Sequence, residues 1–196
     1  MEKLIRENAG AFNHHYPKVA AILTAHSRGK DNAMTIAWHT SLAHKPPLYG
    51  VVIMPNRFTY QLITESKEFG INFLPVELDE LVAAVGGSGG SKIDKFQAFN
   101  IDRENAIKTS VPILKSAYAA YECNLIDDRA YGDHRLLVGE IMATHWLQEA
   151  FTAEETLDLA KVKPIMYLGK EQYLDITECT TRTLKRNVYG KRGGGQ

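Results

Sequence analysis

Cysteine and long apolar runs are scarce in this chain of 196 residues, and both absences exclude classes of protein. Only two cysteines occur, Cys123 and Cys179, far apart and without a Cys-x-x-Cys spacing. This pattern argues against a disulfide-stapled secreted scaffold and favours reduced thiols in a cytoplasmic protein. The first residues, MEKLIRENAGAF, carry charges where a signal peptide would be apolar. No apolar run reaches the roughly 18 residues that a membrane span needs, so we expect no membrane association.

An excess of charge of either sign is also missing. The chain holds 23 Lys and Arg residues against 23 Asp and Glu residues. Proteins that bind nucleic acid usually carry a basic face, so we expect no nucleic-acid partner. The most basic stretch is the C-terminal tail, residues 185–196, which is predicted to be a flexible, solvated terminus.

Several signatures of chemistry are absent. His14 and His15 are adjacent rather than four residues apart, and no His-Glu-x-x-His motif or Cys/His cluster occurs, so we predict no metal site. The chain lacks the Gly-x-Ser-x-Gly elbow of serine hydrolases and the glycine patterns of P-loop and Rossmann nucleotide sites.

Short strands dominate what is present. Alternating or wholly apolar runs bounded by turn residues predict strands at 19–26, 34–42, 48–54, 69–74, 117–126, 136–146, 165–168 and 172–176. Helices are predicted from Asn56 onward, at 78–85 and at 154–161, while residues 86–91 are predicted to hold no regular structure. No βαβ rhythm and no linker occur. We therefore predict one domain over residues 1–196, with a core at about 10–178, of mainly β class: an antiparallel barrel with peripheral helices.

The predicted strand 34–42 is unusually polar, and a cationic helix start follows it. Thr35, Trp38, His39 and Thr40 supply hydrogen-bonding groups that a purely structural strand does not need. Because neighbouring strand residues point to opposite faces, at most one of Trp38 and His39 can line a given pocket. Trp38 can equally be plain core, and His39 a hydrogen-bonded structural residue.

The helix start contains Asn56, Arg57 and Thr59, which suit a phosphate group. The free N–H groups and the dipole of a helix N-terminus attract anions, and arginine adds a forked, charged donor. The alternative is that Asn56 caps the helix while Arg57 is solvated.

Two further segments offer polar groups. GGSGGSKIDKF, residues 86–96, combines glycines that allow close backbone approach with Lys92 and Lys95, although a mobile linker would look the same. YGDH ends in His134 at a predicted hairpin tip, where a proton donor would suit redox chemistry. The turn alone explains Gly132 and Asp133.

Taken in order, NAMTIAWHTSLAHKPPL, NRFTYQLI, FGINF, GGSKIDKF and YGDHRLLVGEI form a specific set. The set resembles the flavin reductase-like, FMN-binding split-barrel family, in particular its flavoredoxin-like branch, over residues 10–178. The resemblance implies an antiparallel split barrel that forms a homodimer and binds FMN non-covalently near the subunit interface. It also implies a role for ten residues: Thr35, Ala37, Trp38, His39 and Thr40 along the flavin, Asn56, Arg57 and Thr59 at its phosphate, Lys95 near the cofactor, and His134 as the catalytic residue beside flavin and nicotinamide.

The function that this resemblance implies is an oxidoreductase. It would accept hydride from NAD(P)H, or electrons from a small-molecule or protein redox partner, and pass them to flavin or another acceptor. Two alternatives stay open: an electron-transfer flavoredoxin that reacts poorly with nicotinamides, and a non-catalytic flavin- or haem-binding carrier, storage or sensor protein. The residues leave the acceptor and the choice between NADH and NADPH open.

Overall fold

A computed structural model of the protein describes residues 3–10, 13–174 and 176. The predicted tail 185–196 lies outside the described residues. Strands are the main regular elements of the described chain, and three short helices lie between them. The strands are β1 (Lys18–Val19), β2 (Ala21–Ser27), β3 (Lys30–Ile36), β4 (His39–His44), β5 (Pro47–Ile53), β6 (Glu68–Phe73), β7 (Arg103–Glu104), β8 (Ile113–Leu114), β9 (Ala119–Tyr131), β10 (His134–Trp146), β11 (Met166–Gly169) and β12 (Gln172–Leu174). The helices are α1 (Phe58–Ser66), α2 (Asp79–Gly87) and α3 (Lys95–Ala98), with 3₁₀ turns at Val76–Leu78 and Gln148–Ala150.

Seven strands form one antiparallel sheet in the order β3-β2-β6-β9-β10-β5-β4. The edge strands β3 and β4 are consecutive in the chain, and only Ala37 and Trp38 join them. β3 pairs with β2, and β4 pairs with β5. The two edge strands do not pair with each other in the described chain, and we call the gap between them the split. This confirms the predicted mainly β, antiparallel split barrel.

The barrel core follows the two-residue period of its strands. Val51 of β5 lies opposite Leu137 of β10, and both side chains are fully buried together with Phe69 of β6. A side chain at Gly139 would collide with the Phe69 ring and lie 2.8 Å from Cβ of Cys123. Gly139 therefore makes room for the largest side chain of the core.

A second apolar cluster fixes the helices beside the split. Val82 and Val85 of α2 are buried against Ile22 of β2 and Ala33 of β3. Residues at three- and four-residue spacing share one helix face, as predicted, and this face lies on the sheet. The packing holds the end of α2 next to edge strand β3. Of the described helices, none is long and apolar enough to cross a bilayer.

Some predicted elements differ from the structure. The strand predicted at 34–42 is wrong as one element: it divides at Ala37 and Trp38 because β3 and β4 bond to different neighbours. The helix predicted at 154–161 is also wrong. Its backbone groups bond back to Thr152 and Ala150 instead, with Thr152 N–H donating to the Thr156 carbonyl over 2.8 Å. α2 continues through Gly87 into the segment predicted to be irregular, and α1 begins at Phe58.

Candidate functional site

A cavity of about 430 Å³ lies at the split of the barrel. Its walls are β3 and the β3–β4 connection, the end of β5, the start of α1, the segment 86–95 and His134 at the start of β10. Eight of the ten predicted site residues line it: Thr35, Ala37, Trp38, Asn56, Arg57, Thr59, Lys95 and His134. The fold thus brings together predicted site residues that lie far apart in the sequence, from Thr35 to His134.

His39 and Thr40 do not line this cavity. The two ring nitrogens of His39 lie 2.7 Å from the Tyr49 hydroxyl and 2.9 Å from the Val19 carbonyl. Burial is the main reason that the pKa of His39 is lowered, with the Lys18 charge adding to the effect. A neutral ring that donates to Val19 and accepts from Tyr49 satisfies both contacts. Thr40 is exposed on edge strand β4.

One end of the cavity is cationic. Lys95 and Arg57 both line it, and none of the described residues that line this cavity is Asp or Glu. Lys95 is almost fully buried, with 3% of its surface exposed. Its Nζ donates to the backbone carbonyls of Ala33 and Val85, each over 2.8 Å. Burial, followed by repulsion from Arg57, lowers the pKa of Lys95 to about 8.

The start of α1 faces the same end. Arg57 occupies the N-cap position in an extended conformation, and no side chain caps the first turn. Asn56 therefore does not cap the helix. The N–H of Tyr60 donates to the Arg57 carbonyl over 3.0 Å, whereas the N–H groups of Phe58 and Thr59 are left for a ligand or water. Their partial positive charge adds to that of Arg57 and Lys95.

The buried Asn32 connects β3 to the start of α1 and to the glycine-rich loop at the cationic end of the cavity. Asn32, 3% exposed, donates from Nδ2 to the Thr59 hydroxyl over 2.7 Å. Because that hydroxyl oxygen accepts from Asn32, its hydrogen is available to another acceptor. A side chain at Gly90 would overlap the Asn32 amide, so the loop backbone passes directly over it. Only glycine fits at position 90, because the loop backbone lies directly against the Asn32 side chain.

The glycine-rich segment is a wall of the cavity. Gly86 at the end of α2 lies against Thr35, whose hydroxyl donates to the Val82 carbonyl over 2.5 Å. Beyond the helix, Ser88, Gly89, Gly90 and Ser91 all line the cavity. Lys92 is exposed on the same loop and is not part of the lining.

Aromatic rings surround the other end. The Trp38 ring centre lies 4.8 Å from that of His134, with the planes tilted by 35°. Trp38 Nε1 donates to the Tyr16 hydroxyl over 2.8 Å, and Tyr16 and Tyr167 also line the cavity. His134 Nδ1 lies 2.7 Å from Asp133 Oδ1, and this contact lowers the pKa of Asp133.

Sequence reasoning missed Asn32, Tyr16 and Tyr167. Asn32 carries a turn-type signal, Tyr16 belongs to the segment before the first predicted strand, and Tyr167 resembles any aromatic strand residue. No local pattern separates these residues from structural ones. Only the tertiary fold brings Asn32 of β3, Tyr16 from the segment before β1 and Tyr167 of β11 to the same cavity.

The arrangement suits an elongated ligand with an anionic end. Two cations and the start of a helix attract a phosphate, while Trp38 and the backbone of β3 offer a flat surface with donors and acceptors. A larger cavity, of about 870 Å³, lies beside the ends of β9 and β10 and the 146–155 segment. It shares no lining residue with the candidate site and lacks its cationic end.

Comparison with known proteins agrees with the observed fold. The family described as "Flavin reductase like domain" matches residues 13–173. A protein of Aeropyrum pernix is 29% identical over 158 residues, which cover 79% of this chain and 59% of that protein. The chain thus spans less than two thirds of that relative's length.

Two solved structures share the fold. The FMN-binding protein of Thermus thermophilus, solved with bound 1-cyclohex-2-enone, is 31% identical; the match covers 93% of this chain and 99% of that one, with a TM-score of 0.81. Flavoredoxin of Methanosarcina acetivorans matches with the same TM-score at 23% identity, covering 94% and 97% of the two chains. From the family match over most of its length, the chain belongs to the flavin reductase-like family, whose FMN-binding split-barrel members are its structural neighbours.

Proposed function

We propose that the protein binds FMN in the cavity at the split and acts as an NAD(P)H-dependent oxidoreductase. The observation that carries this proposal is the cationic end of the cavity, where Lys95 and Arg57 converge without an acidic neighbour among the lining residues. A buried charge needs a counter-charge, and a ligand phosphate would supply it. The family match and the Thermus thermophilus FMN-binding protein support the choice of FMN.

The residues of the cavity divide into two groups in this proposal. Arg57, Thr59, Asn56 and the first N–H groups of α1 would hold the phosphate, with Lys95 beside them. Thr35, Ala37 and Trp38 would lie along the isoalloxazine ring. We keep His39 and Thr40 outside the set that contacts the cofactor, since neither lines the cavity.

His134 is the proposed catalytic residue. When bound, FMN supplies the hydride and electron chemistry. The carboxylate of Asp133 accepts a hydrogen bond from Nδ1 of His134, which orients the ring and leaves Nε2 for a substrate. The Trp38 ring lies beside it on the same wall of the cavity.

A titration with FMN and a steady-state assay test the proposal together. We expect flavin absorbance to remain with the protein through gel filtration, and NADH or NADPH to be oxidised with free flavin, a ferric chelate or 2-cyclohexen-1-one as acceptor. Bound flavin without turnover of either nucleotide would favour the electron-carrier alternative. A Soret band, or no flavin binding, would overturn the proposal.

We also propose that the protein is a cytoplasmic homodimer. The supporting feature is the outward side of β4, β5 and β10, where six apolar residues surround one charged residue, Glu140, which lies opposite Leu48. We call this surface the outer face, and its apolar residues are Leu42, Leu48, Val52, Leu136, Val138 and Met142. Leu42 and Met142 are 44% and 40% exposed. The helices pack mainly against β2, β3 and β6 instead. Val52 belongs to both the outer face and the cavity wall, so a second copy seated here would lie beside the cofactor.

A further inference from the structure

Among the residues that line the cavity, Lys95 is buried and has no acidic partner in the described chain. An ammonium group carries three N–H donors. Two of them bond to the carbonyls of Ala33 on β3 and Val85 near the end of α2. Within the described chain, the third donor has no acceptor, and the side chain lines the cavity. The charge therefore depends on backbone dipoles alone until a ligand arrives.

The neighbouring elements offer this ammonium no counter-charge. From α1, Arg57 adds a second positive charge, and burial together with this repulsion lowers the pKa of Lys95 to about 8. On α3 itself, Asp94 accepts from the N–H of Gln97. Asp31 of β3, two residues before Ala33, is already paired with His26 and Arg103. The acidic residues of α2, Asp79 and Glu80, lie in its first turn, at the end opposite Val85. His134 lines the aromatic end of the cavity.

We propose that Lys95 couples ligand binding to pH: the anionic group of the ligand binds tightly only while the Lys95 ammonium is protonated, and binding at alkaline pH takes up a proton. This inference rests on the proposed binding of FMN in the same cavity. A dianionic phosphate beside Nζ favours the charged form of the lysine, so the pKa of Lys95 rises in the complex. The free protein loses that proton near pH 8, whereas the complex keeps it.

The direction of the effect follows from this difference. At pH 7 the lysine is mostly protonated and binding needs no proton. At pH 9 about a tenth of the free protein is protonated, so the apparent dissociation constant is about tenfold higher than at pH 7. The released proton must then be taken back from the buffer when the ligand binds.

Isothermal titration with FMN at pH 7, 8 and 9, in buffers of different ionisation enthalpy, tests the coupling. We expect the affinity to fall about tenfold from pH 7 to pH 9 and proton uptake to approach one per site at pH 9. Riboflavin, which has the same ring and no phosphate, is the matched control and should show neither effect. Equal FMN affinity at pH 7 and pH 9 would overturn the coupling while leaving FMN binding intact. Absence of binding at pH 7 would instead contradict the proposed function.

Two variants assign the effect to one side chain. Lys95→Arg keeps a charge that does not titrate in this range, so its FMN affinity should be the same at pH 7 and pH 9. Lys92→Met removes an exposed lysine of the same loop and should leave the wild-type pH profile unchanged. Should Lys95→Arg fail to fold, as a melting curve would reveal, proton uptake by the wild-type protein still decides. A Lys95→Arg protein that retains the pH dependence would rule Lys95 out.

Discussion

At the scale of single residues, the polar side chains near the split divide by what already satisfies them. Both ring nitrogens of His39 have protein partners, so this histidine connects β4 to β5 and β1. Arg57 and Lys95 are cations without a carboxylate partner in the described chain, which makes them available to an anion. A polar residue in a strand is therefore a ligand-binding candidate only when its hydrogen-bonding capacity is left over.

Arg57→Ala should weaken FMN binding. Removing one charge-assisted hydrogen bond to a phosphate costs about 1.5–3 kcal/mol, which corresponds to roughly a tenfold to hundredfold rise in the dissociation constant. The quenching of FMN fluorescence during titration measures the dissociation constant. Arg28→Ala is the control, because Arg28 is 81% exposed and pairs with Glu65 away from the cavity. Unchanged affinity in Arg57→Ala would show that the phosphate does not bind at the start of α1.

Glu122 is a buried carboxylate whose role is structural. It accepts from the backbone N–H groups of Ile107, Lys108 and Thr109, each over 2.8 Å, and lies 2.6 Å from Nε2 of His145. Burial raises its pKa, but the hydrogen bonds outweigh burial and lower the pKa to about 2. The stability that ionised Glu122 contributes is therefore present above its usual pKa, near 4.5, and is lost as the pH falls through about 2.

Glu122→Gln should lower the free energy of unfolding by about 3 kcal/mol at pH 7, since an amide cannot satisfy the same set of donors and leaves His145 without its carboxylate. Urea denaturation measures the change. Glu149→Gln, at an exposed position, should be nearly neutral. At pH 2 the difference between wild type and Glu122→Gln should shrink. A stable Glu122→Gln protein would mean that the 107–109 loop is held by other contacts.

At the scale of elements, the glycine-rich segment lines the candidate cavity and packs against β3. α2 runs into it through Gly86 and Gly87, and the following loop crosses β3 at Asn32. The glycines differ in what surrounds them. A side chain at Gly90 would overlap Asn32, whereas a side chain at Gly87 would meet nothing within 4 Å.

Gly90→Ala should therefore displace Asn32, disturb its bond to Thr59 and weaken FMN binding by about 1–3 kcal/mol. Gly87→Ala is the matched control, and its expected effect is a gain in stability of about 0.4–1 kcal/mol, since alanine favours the helix. Thermal melts and FMN titrations of both variants measure these effects. Equal FMN affinity in the two variants would show that the loop does not determine the shape of the cavity.

Elements were predictable wherever a local period and a turn signal agreed. The long pair β9 and β10, the buried strand β5 and the face of α2 follow directly from such patterns. The break at Ala37 and Trp38 has no local signal, because it depends on β3 and β4 choosing different partners. The helix predicted at 154–161 does not form, because backbone groups of this segment bond to Ala150 and Thr152 instead. Eight of the residues that the motifs predicted line one cavity, whereas the positions of Asn32, Tyr16 and Tyr167 at that cavity depend on the tertiary fold.

At the scale of the whole molecule, the helices cover the barrel at β2, β3 and β6 and leave the outer face on β4, β5 and β10 exposed. Buried sheets are normally covered by helices or by another subunit, and contiguous apolar patches mark interaction sites. The outer face, with Leu42 lying over Gly50 beside Leu136, is such a patch. Because a twofold interface joins the same surface of both copies, Leu42 and Met142 of each copy would be buried together.

A charge in the outer face should therefore produce a monomer. Leu42→Lys and Met142→Lys each place an ammonium in a surface that a second copy would desolvate, at a cost large enough to abolish association. Sedimentation velocity at several concentrations measures the oligomeric state. Ile107→Lys is the control, since Ile107 is 70% exposed on a loop outside this face. Because Val52 joins the outer face to the cavity wall, the monomeric variants should also bind FMN more weakly. A monomeric wild-type protein would contradict the proposed homodimer, whereas dimeric Leu42→Lys and Met142→Lys variants would place the interface elsewhere.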